Sequence, residues 1–215
     1  MTFGGDPSLW SDLVPDHFMP QIIALVLEGW ETFEKPRRDD LEVPITIRFC
    51  CSLRAHKNRS RLPFRIEYES VELELESGTV VGRIDLRFCH GYREDVYFAF
   101  ECKRLNVVDR AGKRRSLAGE YVKEGMMRFV EGKYAAGLDK GGMLGYVMDG
   151  ARPSAIQAVE DAVARRREQL RLTSADLERS SIRRDDARVR ETRHRLHSGP
   201  FVLHHLFLSV GGATG

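Results

Sequence analysis

No apolar run in this chain approaches the roughly 20 residues of a membrane-spanning helix, and residues 1–20 lack the basic n-region and apolar h-region of a secretory signal. Cysteine is scarce. The four present, Cys50, Cys51, Cys89 and Cys102, show no CxxC spacing and two are adjacent, which argues against a zinc ribbon or a planned disulfide framework and suits a reducing interior. The expectation is a soluble cytoplasmic protein with no membrane partner. Net charge is also nearly absent: 34 basic against 32 acidic residues leave +2, so affinity for phosphate must come from local clustering. There is no GxSxG elbow of an α/β-hydrolase, no His/Cys cluster at zinc spacing, and no internal repeat. Gly141-Gly142 is not followed by the Lys-Ser/Thr of a phosphate cradle and reads as a turn.

What is present is globular. Hydrophobic residues make up 42% of 215 and charged residues 31%, enough for a single domain over residues 1–215 with a real core. After a loose start with Gly4, Gly5 and Pro7, the segment Asp16 to Phe33 has helical spacing, with Asp16 placed as an N-cap. Ile45 to His56 fits helix or strand; helix is favoured, because Asp40 can cap it and Pro44 is tolerated in a first turn. Alternation then marks strands over Leu62–Leu75, Val80–Phe88 and Val96–Leu105, joined by turns at Ser77-Gly78 and Gly91–Asp95: an antiparallel meander. A basic loop, Arg110 to Arg115, precedes a helix over Leu117–Tyr134, a buried strand over Met143–Met148 and a helix opened by Pro153 whose basic end runs to Arg171. Thr173 to His197 reads as an exposed helix or a charged excursion, self-paired rather than phosphate-binding, and Phe201–Val210 as a last strand before a frayed tail. The fold class is α/β, a sandwich of helices about a mixed sheet, with its core in residues 40–150.

The meander carries the chemistry. On the second strand Ile84, Leu86 and Phe88 face one side and Asp85 the other; on the third, Phe98, Phe100 and Cys102 line the apolar side and Glu101 and Lys103 the opposite one. Pairing would bring Asp85, Glu101 and Lys103 onto one polar face. Two carboxylates suit a hard divalent cation, with the Cys102 carbonyl as a further ligand, and Lys103 can orient a water or offset developing charge.

Asp85, followed after a hairpin by Glu101-Cys102-Lys103 at the end of an apolar strand, resembles the PD-(D/E)xK nuclease superfamily, the restriction-endonuclease-like fold. The order helix, three-strand meander, helix, strand matches over residues 40 to 150; the motif's proline is absent, since Ile84 precedes Asp85. The resemblance implies a Mg²⁺- or Mn²⁺-dependent nuclease, acting on DNA in the first instance, in restriction, repair or defence, working as a homodimer or beside partner subunits. It also implies a glutamate on the helix before the meander, for which Glu42 is the first candidate and Glu28 the second. Arg104, Lys123 and Arg128 are the candidate nucleic-acid contacts, with Tyr121 and Glu124 sharing the face of Arg128.

Plainer readings stand beside these. The Asp-Glu-Lys set is alternatively a solvated sheet face with Arg83 or Arg87 paired to Glu101, although the strength of both flanking strands argues for a central position where three ionisable groups need a reason. Glu42 is alternatively a helix-start carboxylate favoured by the helix dipole. His204 and His205, facing opposite ways, read as packed core, as does Cys102. A nuclease-like domain that binds nucleic acid or scaffolds a complex without cutting is the alternative function.

Overall fold

The structure, a computed structural model, describes residues 13–73, 80–90, 96–109, 111–135 and 138–211. The turns expected at Ser77-Gly78 and Gly91–Asp95, the glycine-containing start and the last four residues lie outside the described residues.

Two helices, α1 (Leu13–Thr32) and α2 (Glu42–Arg59), lead into the meander β1 (Phe64–Leu73), β2 (Val80–His90) and β3 (Tyr97–Leu105). A small ribbon follows, β4 (Val107–Val108) against β5 (Arg114–Arg115), where the sequence suggested a loop. Then come α3 (Ala118–Glu120), a π-helical turn (Tyr121–Met126), α4 (Met127–Val130), β6 (Lys140–Val147), α5 (Arg152–Ala164), β7 (Glu178–Arg179), β8 (Val189–Leu196) and β9 (Gly199–Ser209). The main sheet has seven strands in the order β1-β2-β3-β6-β9-β8-β7, with β3, β6 and β9 parallel and the remaining neighbours antiparallel. This is a mixed α/β fold. Among the described residues no helix is long and apolar enough to cross a membrane.

Helices cover both faces of the sheet. On one, Ile23, Val26 and Trp30 of α1 and Ile45, Phe49 and Leu53 of α2 pack on Phe98, Phe100, Cys102 and Leu144. On the other, Tyr121, Met126 and Phe129 join Val159 and Val163 of α5 over Ala99, Met143 and Phe207. A strand covered on both sides needs apolar side chains in both directions, which is why β6 reads as an uninterrupted apolar run rather than an alternating one. Gly141 and Gly142 begin that strand instead of forming a turn; a Cβ on Gly142 would come 2.3 Å from the Phe100 ring, so only glycine lets the rings close over β6.

Several expectations are corrected. Helix α1 starts at Leu13, so Asp16 lies inside it. Asp40 does not cap α2: Leu41 is the N-cap, with no side-chain cap bond, while the Asp40 carboxylate accepts from the Arg37 N–H at 3.1 Å and pairs with Arg48. The helix expected to run to Tyr134 ends at Val130 and is π-helical through Tyr121–Met126. The basic stretch Arg165–Arg171 is a series of turns after α5. The charged segment over 173–197 holds β7 and β8; apart from Leu177 and Val189, its buried side chains are polar and paired: Glu191 accepts from the Ser181 N–H and hydroxyl, both at 2.7 Å, and Thr192 bonds His205 at 3.0 Å.

Candidate functional site

The site forms where β2 and β3 part. They pair from Cys89↔Tyr97 to Leu86↔Phe100 and no further toward Leu105. One residue beyond the last pair, Asp85 Oδ2 accepts the Cys102 N–H at 2.7 Å, a carboxylate standing where a strand carbonyl would otherwise be. The departure turns Ile84 away from Leu86 and Phe88: it packs with Tyr134 and Ala99 on the opposite face, contrary to simple alternation.

Glu101 lies one residue before Cys102 and is 1% exposed. Its Oε1 takes the Lys103 Nζ at 2.5 Å, with the Arg128 Nε at 3.6 Å, while Oε2 is buried and has no hydrogen-bond partner. Lys103 Nζ also donates to the Cys102 carbonyl at 3.0 Å and to Glu42 Oε1 at 3.3 Å. Glu42 Oε2 accepts the Arg104 N–H at 3.0 Å. The first turn of α2 therefore reaches the end of β3 from the far side of the sheet, and Asp85, Glu101, Lys103 and Glu42 converge.

Burial pushes the Asp85 carboxyl up to about 7, with the Glu101 charge acting the same way and the Cys102 N–H opposing. Glu101 is also raised, again by burial, which outweighs the pull of Lys103 and Arg128. Burial would lower the Lys103 ammonium, but Glu101 and Glu42 overrule it and hold it above its ordinary value. The lysine stays charged.

The solvated-face reading does not survive this geometry. Arg87 pairs with Glu67 at 3.8 Å and Arg83 with Glu69 at 4.0 Å; the cations at Glu101 are Lys103 and Arg128. Not every candidate joins the cluster. Glu28 sits on α1 against His56 at 3.7 Å, and Lys123 is largely exposed beside Glu124 at 3.5 Å. The Arg104 guanidinium donates to the Asp40 carbonyl at 3.1 Å. Cys102, His204 and His205 are buried, and the two histidines face opposite sides, against Phe98 and Tyr121 respectively.

Tyr134 is a member that spacing does not reveal. Its hydroxyl donates to the Arg83 carbonyl and accepts from Arg128, tying the departing part of β2 to the cation beside Glu101. Its only sequence signal is an aromatic at the end of the apolar series in the expected helix.

Among the described residues no three His, Cys, Asp or Glu side chains stand grouped as a ready metal cage. The donor chemistry still fits a hard cation: carboxylates of Glu101, Glu42 and Asp85, the Cys102 carbonyl, and an orphaned buried oxygen on Glu101 that lacks a positive partner. In this arrangement the Lys103 ammonium gathers three of those oxygens to itself. A groove of about 290 Å³ opens beside them, lined by Leu41, Glu42, Val43, Lys103, Arg104 and Leu117 among others.

Comparison with protein families, with curated proteins and with solved structures finds no match to this chain.

Proposed function

We propose that this chain is a metal-dependent phosphodiesterase of the restriction-endonuclease-like type, cutting nucleic acid and DNA in the first instance. The observation that carries the reading is the grip of the Lys103 ammonium on Glu101, Glu42 and the Cys102 carbonyl, next to the Asp85 carboxylate, at the end of a central strand. Burying acids at that density is costly unless their charge is used.

Glu101, Asp85, Glu42 and the Cys102 carbonyl would hold Mg²⁺ or Mn²⁺. Such an ion acidifies a bound water and offsets negative charge on phosphate oxygens. The chain's own groups supply the rest. Lys103, kept protonated by its carboxylates, presents N–H donors to an oxygen on which charge develops during hydrolysis. Arg128, half-buried and braced by the Tyr134 hydroxyl, stands ready for a non-bridging oxygen of the phosphate. Arg104 extends the cationic floor of the groove.

A second reading, a domain that binds nucleic acid without cutting it, is favoured by one observation: Asp85 is already engaged by the Cys102 amide and Lys103 by the glutamates, so no acid triad stands open among the described residues. One experiment separates the two. Plasmid and RNA are incubated with the protein with and without Mg²⁺ or Mn²⁺, beside Asp85→Asn and Glu101→Gln. Metal-dependent cleavage lost in both variants supports the phosphodiesterase; salt-sensitive binding without cleavage supports the binding domain. Cleavage retained in Asp85→Asn would overturn the site.

A further inference from the structure

Next to the carboxylates the surface turns apolar. Of the five large hydrophobic side chains exposed among the described residues, three, Leu41 at 61%, Val43 at 51% and Ile47 at 42%, lie at the N-cap and first turns of α2. Glu42 stands between the first two and is bonded to Lys103 and the Arg104 N–H. The groove joins Leu41 and Val43 to Lys103 and Arg104, so an apolar lip and a charged floor belong to one surface. A phosphodiester seated at Lys103 brings its flanking nucleotides against that lip.

What those nucleotides offer depends on their state. A paired, stacked duplex presents phosphates, sugars and base edges, with its apolar base faces hidden in the stack. An unstacked base exposes a flat apolar face, and aliphatic side chains serve as wedges and supports against such faces. A protein partner is a poorer match, because the centre of a protein interface is depleted in charge, whereas the centre of this groove holds Glu42, Lys103 and Arg104.

We propose that Leu41 and Val43 receive an unstacked base beside the scissile phosphate, so that the substrate class is nucleic acid with unpaired nucleotides at the cut: a single strand, flap or junction. This rests on the phosphodiesterase reading of the neighbouring carboxylates.

The test is equilibrium binding by fluorescence anisotropy in EDTA, which blocks metal-dependent cleavage. Three labelled oligonucleotides share one sequence: a single strand, a full duplex, and a duplex ending in an unpaired flap. The unpaired forms are expected to bind at least about tenfold more tightly than the duplex. In the double variant Leu41→Ser/Val43→Ser their affinity falls by about tenfold, the size expected from losing contact with one or two aliphatic side chains. Both positions are exposed, so the variant's melting curve stays close to the parent's. The inference is overturned if the duplex binds as tightly, or if the double variant keeps the preference. It is also overturned if the variant changes only the oligomeric state in light scattering, which would make the lip an interface between copies. The same proteins are then given Mg²⁺ and Mn²⁺. Preference for unpaired strands without cleavage upholds the lip and sinks the phosphodiesterase; cleavage of duplex and single strand alike, unaffected by the variant, does the reverse.

Discussion

Asp85 Oδ2 accepts the Cys102 N–H at 2.7 Å, so a side chain of β2 completes the backbone of β3 where the two strands cease to pair. Asparagine can keep that bond through its amide oxygen, whereas leucine cannot. Asp85→Leu therefore leaves a buried N–H unpaired and is less stable than Asp85→Asn by about 1–3 kcal/mol. Asp85→Asn melts at or above the parent at pH 8 in EDTA. The reason is electrostatic: the folded-state carboxyl, raised from 3.8 to about 7 by burial and Glu101, is costly when ionised. Folded protein holds that proton more tightly than unfolded between these values, so the cost grows as pH rises from 4 to 7 and the advantage of asparagine fades below that window. Cleavage, if present in the parent, falls at least about a hundredfold in both variants. Thermal melts and an initial-rate assay check this; an Asn variant that is destabilised as much as the Leu variant would contradict the role of the bond.

Lys103→Met removes the only cation within 3 Å of Glu101 among the described residues and uncovers Glu42 at the same time. Breaking a buried pair on one side costs about 3–5 kcal/mol, and because Glu42 is partly exposed the lower end applies. A divalent ion should recover part of this loss. Millimolar Mn²⁺ is expected to raise the melting temperature of Lys103→Met by more than that of the parent, because the vacated oxygens then face the ion without a competing ammonium. Equal shifts would show that these oxygens do not form a cation site.

The sequence made Asp85, Glu101 and Lys103 legible because apolar residues flank them on strands long enough to show alternation. Glu42 was legible only through resemblance, since nothing in the spacing says that the first turn of α2 crosses the end of the sheet. Tyr134 was not legible, because its contact with Arg83 depends on the chain after α4 folding back on β2. Ile84 departed from its predicted face because alternation assumes a regular ladder, whereas β2 stops pairing with β3 at Leu86 and its ladder with β1 skips Asp85 opposite Glu69, which has a positive φ. Strand β8 was hidden for a different reason. Besides Val189 its inward positions are Glu191, Thr192 and His194, whose partners Ser181, His205 and the Leu170 carbonyl come from separate parts of the chain, so a largely polar segment is buried without an apolar pattern.

His204 is 3% exposed, its Nδ1 has no hydrogen-bond partner, and Glu191 Oε2 lies 3.9 Å away. Burial lowers it to about 4, against the opposing pull of Glu191. Above pH 6.5 the ring is neutral in both states. Between 6.5 and 4 the unfolded chain takes up a proton that the folded one refuses, so stability falls with falling pH, by about 3 kcal/mol across the window for this group. His194 and His205, also lowered by burial, push the same way. His204→Leu should therefore reduce the slope of stability between pH 6.5 and 4 without abolishing it, read by urea unfolding at several pH values. An unchanged slope would show that the ring titrates normally in the fold.

The helical turn that leads to Arg128 is held to the sheet by a one-way chain of hydrogen bonds. A carbonyl can only accept, so His194 Nδ1–H donates to Leu170 O at 2.7 Å, and His194 Nε2 must then accept from the Thr192 hydroxyl, also at 2.7 Å. The Thr192 oxygen in turn accepts His205 Nε2–H at 3.0 Å, which leaves His205 Nδ1 to accept from the Tyr121 hydroxyl at 2.9 Å. All four side chains are buried, so each bond lost leaves a group that water cannot reach. Tyr121→Phe orphans one acceptor and should cost about 1–3 kcal/mol. Thr192→Val orphans an acceptor on His194 and a donor on His205, so it should cost more than Tyr121→Phe by at least about 1 kcal/mol, despite keeping nearly the same volume. Urea unfolding of the three proteins checks the order, and equal costs for the two single variants would contradict the direction of the chain.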